Sequence, residues 1–152
     1  MQGAPCTPEK YVHRSARRTL HHIPMTIETV RLTEKAKTYL VMLKRKTGIK
    51  NWNVLCRWAF CVSLNDPSIP PKEKLQTDSP IEMTWKVFGG RHAELYFALL
   101  LQRCKQDGFE LSANTVNEQF KLHLHRGIAY LATNSKLTNI SMLLALIENQ
   151  SN

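Results

Sequence analysis

The chain has 152 residues, a hydrophobic content of 43% and a formal charge of +9, with 21 Lys and Arg against 12 Asp and Glu. That length fits one domain with a sizeable core. No apolar run reaches the roughly 18 to 20 residues of a membrane span, and the basic N-terminus lacks an apolar h-region, so a secreted or membrane-spanning class is set aside in favour of a cytoplasmic one.

Residues 1–24 hold Pro5, Pro8, Pro24, three histidines and the Arg17-Arg18 pair, without apolar periodicity. Met25-Thr26-Ile27-Glu28 then reads as a natural start. Residues 1–24 are expected to be an upstream-encoded or cloning-derived extension, disordered unless docked, ahead of a domain at 25–150. The other reading is a basic arm that tracks phosphates.

Ile27 to Leu32 alternates loosely and predicts a short strand. Thr33 can cap a helix from Glu34 to Lys46, where Ala36, Tyr39, Leu40 and Leu43 recur at helical spacing and Gly48 ends the run. Asn51 can cap a second helix through Leu64, with Trp52, Leu55, Cys56, Ala59, Phe60 and Val62 on its apolar side. Asn65-Asp66-Pro67 stops it and opens a Pro-rich connector over 65–80. Ile81 to Phe88 reads as extended, and Gly89-Gly90 breaks it. A helix from about Arg91 to Gln106 is apolar nearly all round, which predicts a place in the centre of the core or in a subunit interface. Thr115-Val116-Asn117-Glu118 has the spacing of a capping box, opening a helix through about Ala132. A short last helix is expected from about Asn139 to Ile147. The predicted fold is mainly α and a single domain: a ribbon-helix-helix-like N-terminal segment, one short strand plus two helices, followed by further core helices.

The charge is concentrated. Arg31, Lys35, Lys37, Lys44, Arg45, Lys46, Lys50 and Arg57 face one acid, Glu34, within residues 31–57, whereas the cations and acids of 58–152 cancel. On a helical wheel, Lys37 and Lys44 share one shoulder of the buried stripe, Lys35 and Lys46 the other, and Arg45 faces away from the core. A solvated helix face is the plain alternative. So local an excess instead suggests a polyanion partner. Lysine meets phosphate as a point charge, so backbone and shape recognition is expected rather than a base code.

Other constellations carry less. Gly89-Gly90-Arg91-His92 reads as a turn needing glycine conformations, and His92-x-Glu94 lacks the P-C-x-x-C that a zinc deaminase would require. His123 and His125, two apart, lie on different helix faces and read as structural. The four cysteines form no CxxC pair, and the apolar setting of Cys56 and Cys61 predicts reduced, buried thiols, unsuited to a sulfur relay. No metal signature, P-loop or nucleophile elbow is present.

Val30-Arg31-Leu32-Thr33-Glu34-Lys35-Ala36, Leu43-Lys44-Arg45-Lys46-Thr47-Gly48-Ile49 and Asn53-Val54-Leu55-Cys56-Arg57-Trp58-Ala59, followed by Phe88-Gly89-Gly90 and His123-Leu124-His125-Arg126-Gly127-Ile128, resemble the DndE family of DNA sulfur-modification proteins. The resemblance covers Met25 to about Asn149. It implies a role in phosphorothioation, in which sulfur replaces a non-bridging phosphate oxygen. It further implies a non-catalytic, DNA-engaging subunit without a cofactor, a homotetramer that favours nicked duplex. The implied partners are a cysteine desulfurase, an iron–sulfur protein and an ATPase. The family's DNA contact falls to surface lysines. The wheel places these at Lys35, Lys37, Lys44, Lys46 and Lys50, with Arg45 and Arg31 beside them. Two other functions fit the residues: a ribbon-helix-helix transcription regulator, reading DNA through Thr29 and Arg31, and a scaffold whose basic surface meets an acidic protein.

Overall fold

The computed structural model describes residues 27–148. The expected extension 1–24, the segment 25–26 and residues 149–152 lie outside the described residues. In chain order come strand β1 (Thr29–Arg31), helices α1 (Glu34–Thr47) and α2 (Trp52–Asn65), strand β2 (Glu82–Thr84), helix α3 (Trp85–Gly89), a 3-10 turn at Gly90–His92, and helices α4 (Ala93–Gln106), α5 (Ala113–Thr133) and α6 (Ile140–Glu148).

The first half follows the local rules. Thr33 Oγ1 accepts from the Ala36 amide at 3.1 Å, opening α1, and Gly48 closes it with φ +74. The predicted strand-helix-helix order is present, but its strand pairs within the chain. Thr29 stands opposite Thr84, Val30 opposite Met83 and Arg31 opposite Glu82, antiparallel. Val30 and Met83 point into the core while their neighbours face out, the period of two that a half-buried sheet imposes.

The segment read as extended over 81–88 is strand only to Thr84. Thr84 Oγ1 then accepts from the Val87 amide at 3.2 Å and starts α3. Tertiary packing decides this. A helical turn sends both Trp85 and Phe88 inward and leaves Val87 outside, whereas a strand would have buried Val87 with Trp85. Trp85 and Phe88 join Phe60 and Phe120 in an aromatic centre with ring centroids 5.0–5.8 Å apart, largely edge to face.

The central helix is α5, not α4. Helix α5 buries Val116, Phe120, Leu124, Ile128 and Leu131 against α2, whereas α4 buries Phe97, Leu100 and Cys104 and leaves Leu95 and Leu99 exposed. Ser112, rather than the Thr115 box, caps α5, its Oγ accepting from the Thr115 amide at 3.2 Å. Two arginines fix the end of α2. Arg103 Nε donates to the Asp107 carboxylate at 2.8 Å, and its other nitrogens donate to the carbonyls of Leu64, Asp66 and Ser68. Arg126 donates to the Ser63 hydroxyl and carbonyl, each at 2.8 Å, and to the Ser68 carbonyl at 2.9 Å. Carbonyls that the ending helix leaves orphaned thereby gain charged donors.

Candidate nucleic-acid interface

Helix α1 turns Ala36, Leu40 and Leu43 inward, which fixes where its cations emerge. Lys37, Lys44 and Lys50 line one groove of about 670 Å³. Across it stand Pro80, Ile81, Met83 and Val87, from β2 and its flanks, and Asn51, Trp52 and Asn53 at the start of α2 complete it. Lys44 Nζ lies 3.4 Å from the centroid of the Trp52 ring, a cation–π contact that holds the ammonium in place. Asn51 occupies the N-cap of α2 without a side-chain capping bond, and Asn53 Nδ2 donates to the Val87 carbonyl at 3.1 Å.

The other predicted cations are dispersed. Arg31 Nε is 3.1 Å from Glu82 Oε2, so its charge is largely answered by a carboxylate at the groove rim, in an exposed pair of small energetic worth. Lys37 stands 3.9 Å from Glu34, at the outer limit of an ion pair. Lys35 sits on the opposite shoulder, 5.7 Å from the Tyr39 ring, beside a hollow of about 540 Å³ that also holds His125 and Tyr130. Lys46 Nζ donates to the Ala132 carbonyl at 3.3 Å, tying α1 to α5. Arg45 is exposed. Lys44, Arg45 and Lys46 also complement the negative end of the α1 dipole. Among the described residues, Lys44 and Lys50 have no carboxylate within salt-bridge distance. The residue that the sequence reading missed is Trp52. It packs partly against the core, as the apolar side of α2 predicts, and as the first helical residue after a lysine-bearing turn it also meets Lys44.

The cysteine expectation needs one correction. Cys56 is buried, and burial pushes its pKa up to about 12. Cys61 is exposed, because the side of α2 that carries it faces out beside Arg57 and Tyr96. Partial burial of its thiol raises its pKa, with Arg57 pulling the other way. That direction is the reverse of what an activated thiolate needs. His123 is fully buried, as a structural histidine would be, with Nδ1 2.9 Å from Ser63 Oγ. Among the described residues no group of His, Cys, Asp and Glu could hold a metal ion, and no helix is long and apolar enough to cross a membrane.

Comparison with known proteins locates this arrangement. No curated protein matches the sequence. In structure the chain is similar to DndE from Escherichia coli B7A, a protein involved in DNA phosphorothioation modification. The TM-score is 0.57 at 22% identity, over 68% of this chain and 95% of that one. This likeness establishes the mainly helical fold. The family model described as DNA sulphur modification protein DndE matches residues 29–139, which include the strand, α1, α2 and the groove between them. The chain belongs to the DndE family.

Proposed function

We propose that this protein is a non-catalytic, DNA-binding member of a phosphorothioation system, gripping the backbone of duplex DNA, nicked duplex by preference, through the cationic corner of α1 and α2. One observation carries the reading. Lys37, Lys44 and Lys50 converge on a single groove, and two of the three have no carboxylate partner among the described residues. Ammonium groups left in solvent near one another set up a local field that a row of phosphates relieves, with release of condensed counterions. Lys35, Arg45 and Lys46 broaden that field, and Arg31 contributes little beside Glu82. A nick favours binding because a broken strand bends at low cost.

Self-association completes the proposal. Leu95 and Leu99 on α4, Ile140, Met142 and Leu144 on α6, and Val41 and Met42 on α1 are exposed apolar side chains of the kind that a homotetramer would cover. The domain is placed at 25–150, with residues 1–24 outside it, and its partners as the desulfurase, iron–sulfur protein and ATPase of the same system. The ribbon-helix-helix regulator is disfavoured by the pairing of β1 with β2 of its own chain, since that fold builds its reading ribbon from two chains.

The test is a binding series at fixed salt with intact duplex, the same duplex nicked, and a palindromic operator-like duplex. Tighter binding to the nicked form, independent of sequence, is the expected result. A strong preference for one intact sequence would favour the regulator, and no binding to any duplex would refute a DNA-engaging role.

A further inference from the structure

The groove that gathers Lys37, Lys44 and Lys50 has two chemically different walls. One carries ammonium groups; the other is formed by Pro80, Ile81, Met83 and Val87, with the Glu82 carboxylate among them paired to Arg31 and the Trp52 indole between the two walls. Val87 is half exposed at 51%, so part of this apolar wall is open to solvent. An intact duplex can engage only the first of these walls. A duplex presents a convex ridge of phosphates, keeps its bases paired inside, and offers nothing for an apolar wall. An unpaired nucleotide matches both walls at once, with phosphates toward the lysines and a base face toward the indole and aliphatic side chains. Cationic tracks combined with an aromatic platform are how single strands are held without regard to sequence. Asn51 and Asn53 add amide groups at the same place. The asymmetry within the molecule points the same way. Lys35, on the opposite shoulder of α1, faces Tyr39 and a hollow that also contains Glu34, Glu73 and Asp78, whereas the one carboxylate that lines the groove, Glu82, is paired with Arg31.

We propose that the groove between α1, the start of α2 and β2 is a binding site for an unpaired stretch of a DNA strand, the frayed end at a break, and that its base stacks on the Trp52 ring once Lys44, which lies 3.4 Å from the ring centroid, turns from the ring to a phosphate. This rests on the DNA-binding reading above and sharpens it: the lysines hold backbone, and Trp52 with Val87 distinguishes an opened strand from a closed one.

The experiment measures fluorescence anisotropy with labelled intact duplex, the same duplex bearing a short unpaired flap at a nick, and a single-stranded oligonucleotide, at fixed salt. Three proteins are compared: the parent, Trp52→Leu, and Val87→Ser, which removes apolar surface without changing charge. Val87 is exposed, so its variant keeps the core intact should Trp52→Leu disturb folding, and circular dichroism checks both. The expected result is that Trp52→Leu loses roughly tenfold in affinity for the flap and the single strand and Val87→Ser loses less in the same direction, while intact-duplex affinity stays within about twofold. Equal affinity of parent and folded variants for flap and single strand would overturn the stacking site while leaving duplex binding in place. Equal losses on all three DNAs would overturn it too, by showing that the groove does not discriminate. Absence of binding to every DNA by the parent would instead bring down the underlying DNA-binding reading, and this inference with it.

Discussion

Gly127 of α5 lies directly against the backbone of Ala59 in α2, so close that a Cβ at position 127 would overlap the Ala59 carbonyl. The missing side chain lets the two helices approach at backbone contact. Leu124, Ile128 and Leu131 then close over Leu55, Cys56 and Phe60.

Gly127→Ala is expected to destabilise the protein. The substitution gains about 1 kcal/mol of helix propensity, but it overpacks a contact whose other side is backbone and cannot rotate away, at a cost of ~1–3 kcal/mol or more. Urea unfolding should show a lower midpoint. A variant as stable as the parent would mean that α2 and α5 can separate without penalty.

Stability should fall on mild acidification. Arg126 Nε donates to Ser63 Oγ, which lies 2.9 Å from His123 Nδ1, so the guanidinium charge sits beside the fully buried imidazole. Burial, then the nearby Arg126 and Arg103 charges, push its pKa down to about 4 from 6.5. The unfolded chain takes up this proton near pH 6.5 and the folded chain only near 4. The contribution is therefore complete above 6.5 and is lost as the pH falls toward 4, by about 3 kcal/mol. His125, also shifted down by burial, adds to the same limb. His123→Gln should flatten it in unfolding measured from pH 7 to 4. An unchanged slope would assign the acid sensitivity to other groups.

Removing lysine charge should change the salt dependence of duplex binding in a graded way. Lys44→Gln and Lys50→Gln, whose ammonium groups lack carboxylate partners among the described residues, should each lower the log–log salt slope by about 0.9. Arg31→Gln, which frees Glu82 as it removes a cation already paired, should change the slope least. Isotherms at four or more salt concentrations give these slopes, and a uniform effect across all three would dissolve the distinction.

Thiol labelling should rank the cysteines of the described residues by exposure. Cys61 is expected to react first with an alkylating reagent at neutral pH, though slowly, because its pKa is raised. Cys56 and Cys104 are buried, with pKa values pushed up to about 12 and about 11, and should react only on unfolding. Peptide mass mapping of natively labelled protein separates the sites. Rapid modification of Cys56 would contradict the packing of α2.

Short-range chemistry made much of this fold legible in the sequence. Thr33, Gly48, and the Asn65-Asp66-Pro67 stop act on their immediate neighbours, so the bounds of α1 and α2 could be read without any knowledge of what packs on them. The α1 wheel likewise placed Lys37 and Lys44 together because helical geometry is fixed. The turn into helix at Trp85, the central place of α5 and the exposure of Cys61 depended on partners distant in the chain, and local periodicity is silent about those.

What the residues settled by themselves is where the charge is and which helices carry it. That Lys50 and Trp52 gather beside Lys37 and Lys44 opposite an apolar wall, and that Glu82 answers Arg31, only tertiary structure decided. The reason is physical: a strand some fifty residues downstream is held beside β1 by packing and backbone hydrogen bonds, and electrostatic partnership depends on distance in space, not along the chain.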